Sequence, residues 1–229
     1  TEKGHNKCSQ LIQLEEEMGF KSLFSFVPER YNVSPLLRKD LVNRGFEVGV
    51  HGLKHDGKLF LSKKKFQQQA FRINHYLKEW KSVGFVSPSM HRNLDWMHEL
   101  NIEYDASTYD TDPFEPQPYN MPTIFPSFMH GNNGQRGYVE LPYTLPQDFT
   151  LFVIMKEKNI DIWKRKLDWI VEKGGMALLI AHPDYMSGNS GRCTIEEYPI
   201  EFYKAFLDYV KSKYEGQYWN PLPKEMARF

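Results

Sequence analysis

Short apolar runs of strand length alternate along the whole chain with longer segments whose apolar residues recur at helical spacing. This alternation constrains the fold most, because repeated strand–helix units build a mostly parallel sheet with helices on its faces. The pattern predicts helices over residues 8–18, 35–44, 62–83, 93–100, 161–173 and 199–214, and strands over residues 21–27, 47–51, 85–90, 102–108, 138–143, 149–155 and 176–181.

The number of predicted strands, about seven, is too large for a small doubly wound sheet. We therefore expect an α/β fold with an irregular (β/α)7-type barrel, formed by a single domain that spans residues 1–229. Such barrels carry their chemistry at the carboxyl ends of the strands. Residues 110–137 are rich in Pro, Gly and Asn, and we expect them to form a long irregular loop of the kind that is often functional.

The charge balance and the hydropathy pattern exclude two classes of partner. Lys plus Arg and Asp plus Glu each total 29, so the chain lacks the basic excess of proteins that bind nucleic acid or anionic membranes. No apolar run approaches the roughly 18–20 residues that span a bilayer. No signal peptide is visible, which favours a cytoplasmic location, but the chain begins at Thr1 rather than Met and leaves its native N-terminus open.

The strongest chemical signal lies at residues 46–58, where an apolar run ends at His51 and a second histidine, His55, follows on. Three glycines in this stretch argue against a helix, so the pair is expected at a strand end and on the turn after it. Neutral imidazoles bind zinc at about 2.0–2.1 Å, and catalytic zinc sites combine about three protein ligands with water. We interpret His51 and His55 as candidate metal ligands; the alternative is two half-buried histidines bonded to backbone carbonyls.

His182 has an independent claim, because it ends the most hydrophobic predicted strand and precedes Pro183. With an unperturbed pKa of about 6.5, a histidine there can serve as a general acid. The alternative is a structural histidine at a strand-to-loop transition. Asp105 also ends a predicted strand, with Asp110 and Asp112 nearby, and one of these could orient a histidine or bind a metal. We interpret Asp112 as a turn residue that bonds its own backbone.

Other signals are weaker. The sequence has no Gly-x-Gly-x-x-Gly motif, no Walker-type lysine loop and no Gly-x-Ser-x-Gly elbow. Cys8 and Cys193 fit no metal-binding spacing, which leaves two buried thiols or a long-range disulfide as the alternatives. Many aromatic residues stand near Pro in loops, a pattern that suits a sugar-binding cleft and fits an aromatic-rich core equally well.

Taken together, these residues resemble the polysaccharide deacetylase superfamily, the carbohydrate esterases with the NodB-homology fold. His51 and His55 match the family's His-x-x-x-His metal pair, and residues 86–88 (Val-Ser-Pro) match its Arg-x-Pro motif. Residues 178–183 match its Leu-x-x-His-type motif on the last barrel strand, and the Tyr-Asp-Ala-Ser run at 104–107 is similar to a run common in bacterial members. The resemblance covers nearly the whole chain and is strongest to the bacterial subgroup associated with exopolysaccharide synthesis.

The resemblance implies a metal-dependent hydrolase that removes acetyl groups from N-acetylated, or O-acetylated, sugars. In the family, two histidines and an aspartate hold zinc or a similar divalent metal such as cobalt or nickel. A second aspartate is the general base, and the last-strand histidine, here His182, protonates the leaving amine. We expect Pro88, Ser89 and Tyr143 to contact the carbohydrate.

The sequence departs from the family in two places. The family's first motif, which carries both aspartates on the first strand, has no counterpart before the opening helix, so we expect the first strand to be missing from this chain. Val86 stands where the family has the arginine that tunes the base. These departures keep open a catalytically inactive deacetylase-like domain that binds carbohydrate or a polysaccharide-synthesis partner, and an amidohydrolase acting on a non-sugar amide.

Overall fold

The computed structural model describes residues 1–111, 122–131, 134–188 and 193–229, so the predicted turn residue Asp112 lies outside the described part. The central feature is a six-stranded sheet in the spatial order β1-β2-β3-β4-β6-β5. Its strands are β1 (Leu23–Phe26), β2 (Glu47–Val50), β3 (Gly84–Phe85), β4 (Tyr104–Asp105), β5 (Ser127–Met129) and β6 (Tyr138–Glu140). All neighbours pair in parallel except β5, which is antiparallel to β6. The predicted α/β class with a mostly parallel sheet is confirmed.

Helices cover the sheet and follow most of the predicted segments. They are α1 (Glu2–Met18), α2 (Pro35–Asn43), α3 (Lys63–Trp80), α4 (Leu94–Met97), α5 (Asp161–Lys173), α6 (Ile200–Tyr214) and α7 (Pro223–Arg228). The hydroxyl of Ser62 caps α3 by accepting the Lys65 N–H at 3.2 Å, and the Asn93 side chain caps α4 in the same way. Such caps satisfy backbone donors that a helix start leaves unpaired. Gly174 ends α5 at a φ of 65°, a conformation that glycine adopts without strain.

Two predicted strands are wrong, and the one predicted over residues 85–90 is a strand only at its start, because β3 ends at Phe85 and Pro88–Met90 form a 3₁₀ helix. Residues 149–155 form a π-helix (Phe149–Ile154) instead. The Asp148 carboxylate caps this helix by accepting the Phe149 N–H at 2.8 Å. The prediction failed because an apolar run of this length does not distinguish a strand from a buried helix. Residues 176–181 form no strand. The Leu178 N–H donates to the Thr144 hydroxyl at 3.0 Å, whereas pairing of β-strands requires a backbone carbonyl as the acceptor. Within the described residues the sheet therefore does not close into the predicted barrel.

The parallel register brings several chain segments to one edge of the sheet. Val50 of β2 pairs with Phe85 of β3, and Asp105 of β4 pairs with both Phe85 and Glu140 of β6. Each strand ends at or next to these pairs, and His51 directly follows Val50. The residues after β2, β3, β4 and β6 therefore share the carboxyl edge, where parallel α/β proteins place their sites.

The core is divided between the outer helices and a smaller buried cluster. The large cluster joins sheet residues to the apolar faces of α1, α3, α5 and α6, with Ile12, Phe66 and Trp163 fully buried. A second cluster is built on Tyr104, Ala106 and Leu141, and residues of α7 pack against it. In the part of the chain that the structure describes, no helix combines the length and the apolar character that a bilayer crossing requires.

Both cysteines have free thiols. Cys8 is buried in α1 and Cys193 is exposed, and no disulfide joins them. The expectation that both thiols are buried is therefore wrong for Cys193.

Candidate metal and catalytic site

His51 lies at the carboxyl end of β2 in a fixed orientation. Its backbone N–H donates to Phe26 O at 2.8 Å, which continues the β1–β2 pairing, and its ring Nδ1 lies 2.9 Å from Val86 O. Because a carbonyl oxygen only accepts, Nδ1 carries the proton and Nε2 keeps its lone pair. Burial, helped by the nearby His55, lowers the pKa of His51 to about 3. The ring is therefore neutral at physiological pH, in the form that binds metals.

His55 lies on the turn after β2, and its ring centroid is 5.1 Å from that of His51. Its backbone is left-handed, with φ at 52°, and the guanidinium of Arg30 donates to its carbonyl oxygen at 2.7 Å. Burial lowers the pKa of His55 as well. The predicted pair is thus assembled as two adjacent neutral imidazoles on a glycine-containing turn.

Gly52 joins this turn to the segment after β3. It has a φ of 62°, and a Cβ placed there would collide with the ring of Pro88. Only a glycine satisfies both the left-handed backbone and the close approach. Pro88 in turn lines a shallow pocket together with His55 and His91. The structure therefore places Pro88 beside the metal-binding candidates.

The two other predicted substrate contacts differ in exposure. Ser89 is exposed and has a left-handed backbone with φ at 54°. Tyr143 is only 1% exposed, packs against Tyr109 at a centroid distance of 5.4 Å, and its hydroxyl accepts the Gln147 amide N–H at 3.1 Å. Substrate contact by Pro88, Ser89 and Tyr143 stays a prediction.

His182 is held by a buried carboxylate that the sequence reasoning missed. Asp148 is completely buried; its Oδ2 accepts the His182 backbone N–H and its Oδ1 accepts the ring Nδ1–H, both at 2.7 Å. The Tyr198 hydroxyl donates to Oδ2 at 2.9 Å. Burial alone would lower the pKa of His182, but the Asp148 charge and hydrogen bond outweigh it and the pKa is raised. The His182 side chain remains 34% exposed, so a reacting molecule can reach it.

The three histidines belong to one electrostatic neighbourhood. After burial, which is the largest cause, the charge of His182 contributes to lowering the pKa values of both His51 and His55. The arrangement joins a neutral imidazole pair, suited to a metal, with a third imidazole whose protonated form is stabilised. That combination can bind an ion and donate a proton at one edge of the sheet.

A third metal ligand is not found among the described residues, where no group of three or more His, Cys, Asp or Glu side chains is arranged to hold a metal ion. Asp105 is fully buried, and its Oδ1 accepts the Ser107 hydroxyl at 2.6 Å. Asp110 is paired with the ammonium of Lys166. The two imidazoles therefore fit two ligands of a zinc-type site, which combines about three protein ligands with water.

Comparison with known proteins adds information on the fold. No protein-family model and no curated protein matches the sequence. Among solved structures, the chain is similar to proteins assigned as polysaccharide deacetylases from Mycobacterium smegmatis (TM-score 0.68, 17% identity, 98% of this chain and 76% of that one) and Pseudomonas aeruginosa PAO1 (TM-score 0.67, 17% identity, 98% and 71%).

A CE4-family pseudoenzyme from Bacillus anthracis also matches, with a TM-score of 0.54, 14% identity, and coverage of 98% of this chain and 61% of that one. A mutant of that pseudoenzyme with restored enzymatic activity matches at the same TM-score. At these identities the likeness concerns the fold. The α/β architecture of this chain is that of the CE4, NodB-like polysaccharide deacetylases, so the fold that the resemblance implies is confirmed.

Proposed function

We propose that this domain is a metal-dependent hydrolase that removes acetyl groups from N-acetylated or O-acetylated sugars. The observation that carries the proposal is the pair of adjacent neutral imidazoles, His51 and His55, at the carboxyl edge of a deacetylase-type sheet. The fold similarity to polysaccharide deacetylases supports the choice of a carbohydrate substrate.

The imidazole pair has the chemistry that a divalent metal requires. The bond from His51 Nδ1–H to Val86 O fixes the tautomer and leaves Nε2 as the ligand nitrogen. A zinc ion held there, or cobalt or nickel in its place, would supply Lewis-acid activation of water and of the acetyl carbonyl. A complete site of this type also needs a carboxylate ligand and a general base; among the described residues, no third His, Cys, Asp or Glu side chain joins the pair in a metal-binding arrangement.

His182 is the proposed general acid. Its Nδ1 is occupied by Asp148, so Nε2 is the position from which it can deliver a proton to a leaving amine. Because the pKa of His182 is raised, the ring keeps that proton to a higher pH than a free imidazole does. Asp148 orients the ring by bonding both its Nδ1 and its backbone N–H.

Acetate release from an N-acetylated chitooligosaccharide tests this function. We expect His182→Ala to lose activity by about 100-fold or more, the range that a general acid contributes. His75→Ala is the matched control, because His75 lies on α3 with a side chain that is 69% exposed. If His182→Ala keeps the activity of the wild-type protein, the general-acid role is wrong.

The second candidate function is a domain that binds carbohydrate without hydrolysing it. Two observations favour it: the described residues hold no third metal ligand, and the Val86 side chain packs against the Tyr104 cluster where an arginine would tune the base. A protein that binds the oligosaccharide by calorimetry, and releases no acetate with or without added Zn²⁺, would have this function instead.

A further inference from the structure

A buried pair of carboxyl groups, Asp105 and Glu140, lies on neighbouring strands next to the histidine site. The two residues are register partners on β4 and β6, and both side chains are almost fully buried. Asp105 Oδ2 and Glu140 Oε2 are both buried and meet no hydrogen-bond donor, and each carboxyl group influences the pKa of the other. Burial, followed by the Asp105 charge, raises the pKa of Glu140 well above its usual value, so Glu140 is the carboxyl group of the pair that keeps a proton.

This pair is fixed from both sides. Glu140 Oε1 accepts the Thr108 N–H at 2.9 Å and the Thr108 hydroxyl at 2.6 Å. Arg92, which is 7% exposed, supplies the positive charge that favours ionised Asp105, and it is held by a bond to Met90 O at 2.9 Å. The pair is therefore a point in the sheet that hydrogen bonds from Thr108 and Ser107 hold in place.

A continuous chain of hydrogen bonds runs from this point to His51. Asp105 Oδ1 accepts the Ser107 hydroxyl at 2.6 Å, and Ser107 Oγ accepts the Ser87 N–H at 2.8 Å. That N–H belongs to the same peptide group as Val86 O, which accepts the His51 Nδ1–H at 2.9 Å. Because one planar peptide unit carries both bonds, whatever fixes its N–H end also fixes the direction of its carbonyl end.

We propose that Asp105 and Glu140 are positioning residues for His51, acting through Ser107 and the Val86–Ser87 peptide to fix the tautomer and orientation of its ring. A hydrogen bond accepted from the N–H also polarises the peptide and strengthens the carbonyl as an acceptor. Outer-shell partners of this kind raise the affinity of a histidine for its metal. The consequence for metal binding rests on the proposed function, whereas the effect on the His51 ring does not.

The experiment measures the tautomer of the His51 ring directly. Two-bond ¹H–¹⁵N correlation spectra of the metal-free protein distinguish the Nδ1–H from the Nε2–H tautomer, and Zn²⁺ affinity is measured in parallel. Ser107→Ala removes the acceptor of the Ser87 N–H and leaves Asp105 and Glu140 in place. We expect a mixture of His51 tautomers in this variant, and an affinity for Zn²⁺ that is weaker by about 10- to 100-fold, the usual cost of losing an outer-shell partner.

Three further variants separate positioning from general damage. Asp105→Asn keeps an oxygen for Ser107 and an amide for Glu140, so it should preserve the His51 tautomer, while Asp105→Ala should shift it as Ser107→Ala does. Ser82→Ala is the matched control, since the buried Ser82 hydroxyl bonds Gly84 O at the opposite end of β3. Where Asp105→Ala does not fold, Ser107→Ala decides.

A wild-type His51 tautomer in Ser107→Ala would overturn the positioning role, as would an Asp105→Asn variant that disturbs the ring as much as Ser107→Ala. If the wild-type protein does not bind Zn²⁺, the proposed function fails, and the tautomer spectra still decide the positioning role by themselves.

Discussion

Asp148 is a single buried residue that determines what His182 can do. Its carboxylate accepts two hydrogen bonds from His182, one from the backbone N–H and one from the ring Nδ1–H. The place of His182 after an apolar run marks it in the sequence, whereas no such pattern marks Asp148. A local signal for Asp148 does exist, because a carboxylate directly before an apolar run can cap a helix. It is hidden when residues 149–155 are interpreted as a strand, whereas in the structure Asp148 caps the helix Phe149–Ile154.

We predict that Asp148→Asn lowers the pKa of His182. The carboxylate raises this pKa against the effect of burial, so an uncharged amide leaves burial to dominate and the ring loses its proton at lower pH. In an acetate-release assay the alkaline limb of the pH–rate profile should move to lower pH, with activity at neutral pH reduced by about tenfold or more.

An NMR titration of His182 measures the shift without requiring activity. Asp161→Asn is the control, since the Asp161 side chain is 61% exposed at the start of α5. An unchanged pKa of His182 in Asp148→Asn would refute the assigned role of the carboxylate.

The turn between β2 and α3 is the element that assembles the histidine pair. It needs glycine at Gly52, where a side chain would meet Pro88, and it carries His55 in a left-handed conformation. Gly57 also has a left-handed backbone, with φ at 71°, but a Cβ there would meet nothing within 4 Å. Both positions therefore require a left-handed backbone, but only at Gly52 would a side chain collide with a neighbouring residue.

We predict that Gly52→Ala destabilises the protein more than Gly57→Ala. Both variants carry the cost of a left-handed alanine, about 1 kcal/mol, and Gly52→Ala adds a collision with Pro88 of roughly 1–3 kcal/mol. Chemical denaturation of the two variants measures the difference in the free energy of unfolding. Equal losses would mean that Pro88 moves aside freely and that Gly52 is required for its backbone alone.

The elements differ in how well the sequence predicts them. The boundaries of α5 were predicted correctly, because its apolar residues recur at helical spacing and Gly174-Gly175 stop it. The conformation of residues 176–181 was not predicted correctly. Their apolar run is half-buried beside Thr144, and the Thr144 hydroxyl accepts the Leu178 N–H in place of a backbone carbonyl. Local periodicity specifies a helix, whereas a strand also depends on partners distant in the sequence.

At the scale of the whole molecule, the fold limits the function without deciding it. A 4-alpha-glucanotransferase from Thermococcus litoralis matches this chain with a TM-score of 0.62 and 14% identity, over 99% of this chain and 37% of that one. One architecture therefore accompanies different carbohydrate chemistry, and function has to be argued from the site. The candidate site was predicted as far as its three histidines, whereas Asp148 and the Asp105–Glu140 pair depend on contacts between distant segments.

We predict that Glu140→Gln changes how the stability of the whole protein depends on pH. Burial raises the pKa of Glu140 in the folded state, so the folded protein keeps a proton that the unfolded chain loses above a pH of about 4.3. The free energy of unfolding of the wild-type protein therefore falls, by up to about 1.4 kcal/mol per pH unit, as pH rises above that value. Glutamine keeps an oxygen for the two hydrogen bonds that Thr108 donates, and it does not titrate.

The measurement is urea denaturation of both proteins between about pH 4 and pH 8. Glu140→Gln should match the wild-type protein at the acid end and become the more stable of the two as pH rises. A constant stability difference across this range would show that Glu140 does not hold an extra proton in the folded state.

The central claim is that His51 and His55 bind a divalent metal, and a Zn²⁺ titration of the purified protein tests it most directly. We predict that the wild-type protein and the exposed-histidine control His75→Ala bind Zn²⁺ with equal affinity. The double variant His51→Ala plus His55→Ala should bind it more than about 100-fold more weakly, because both protein ligands are gone. An unchanged affinity in the double variant, or no Zn²⁺ binding by the wild-type protein, would contradict the claim.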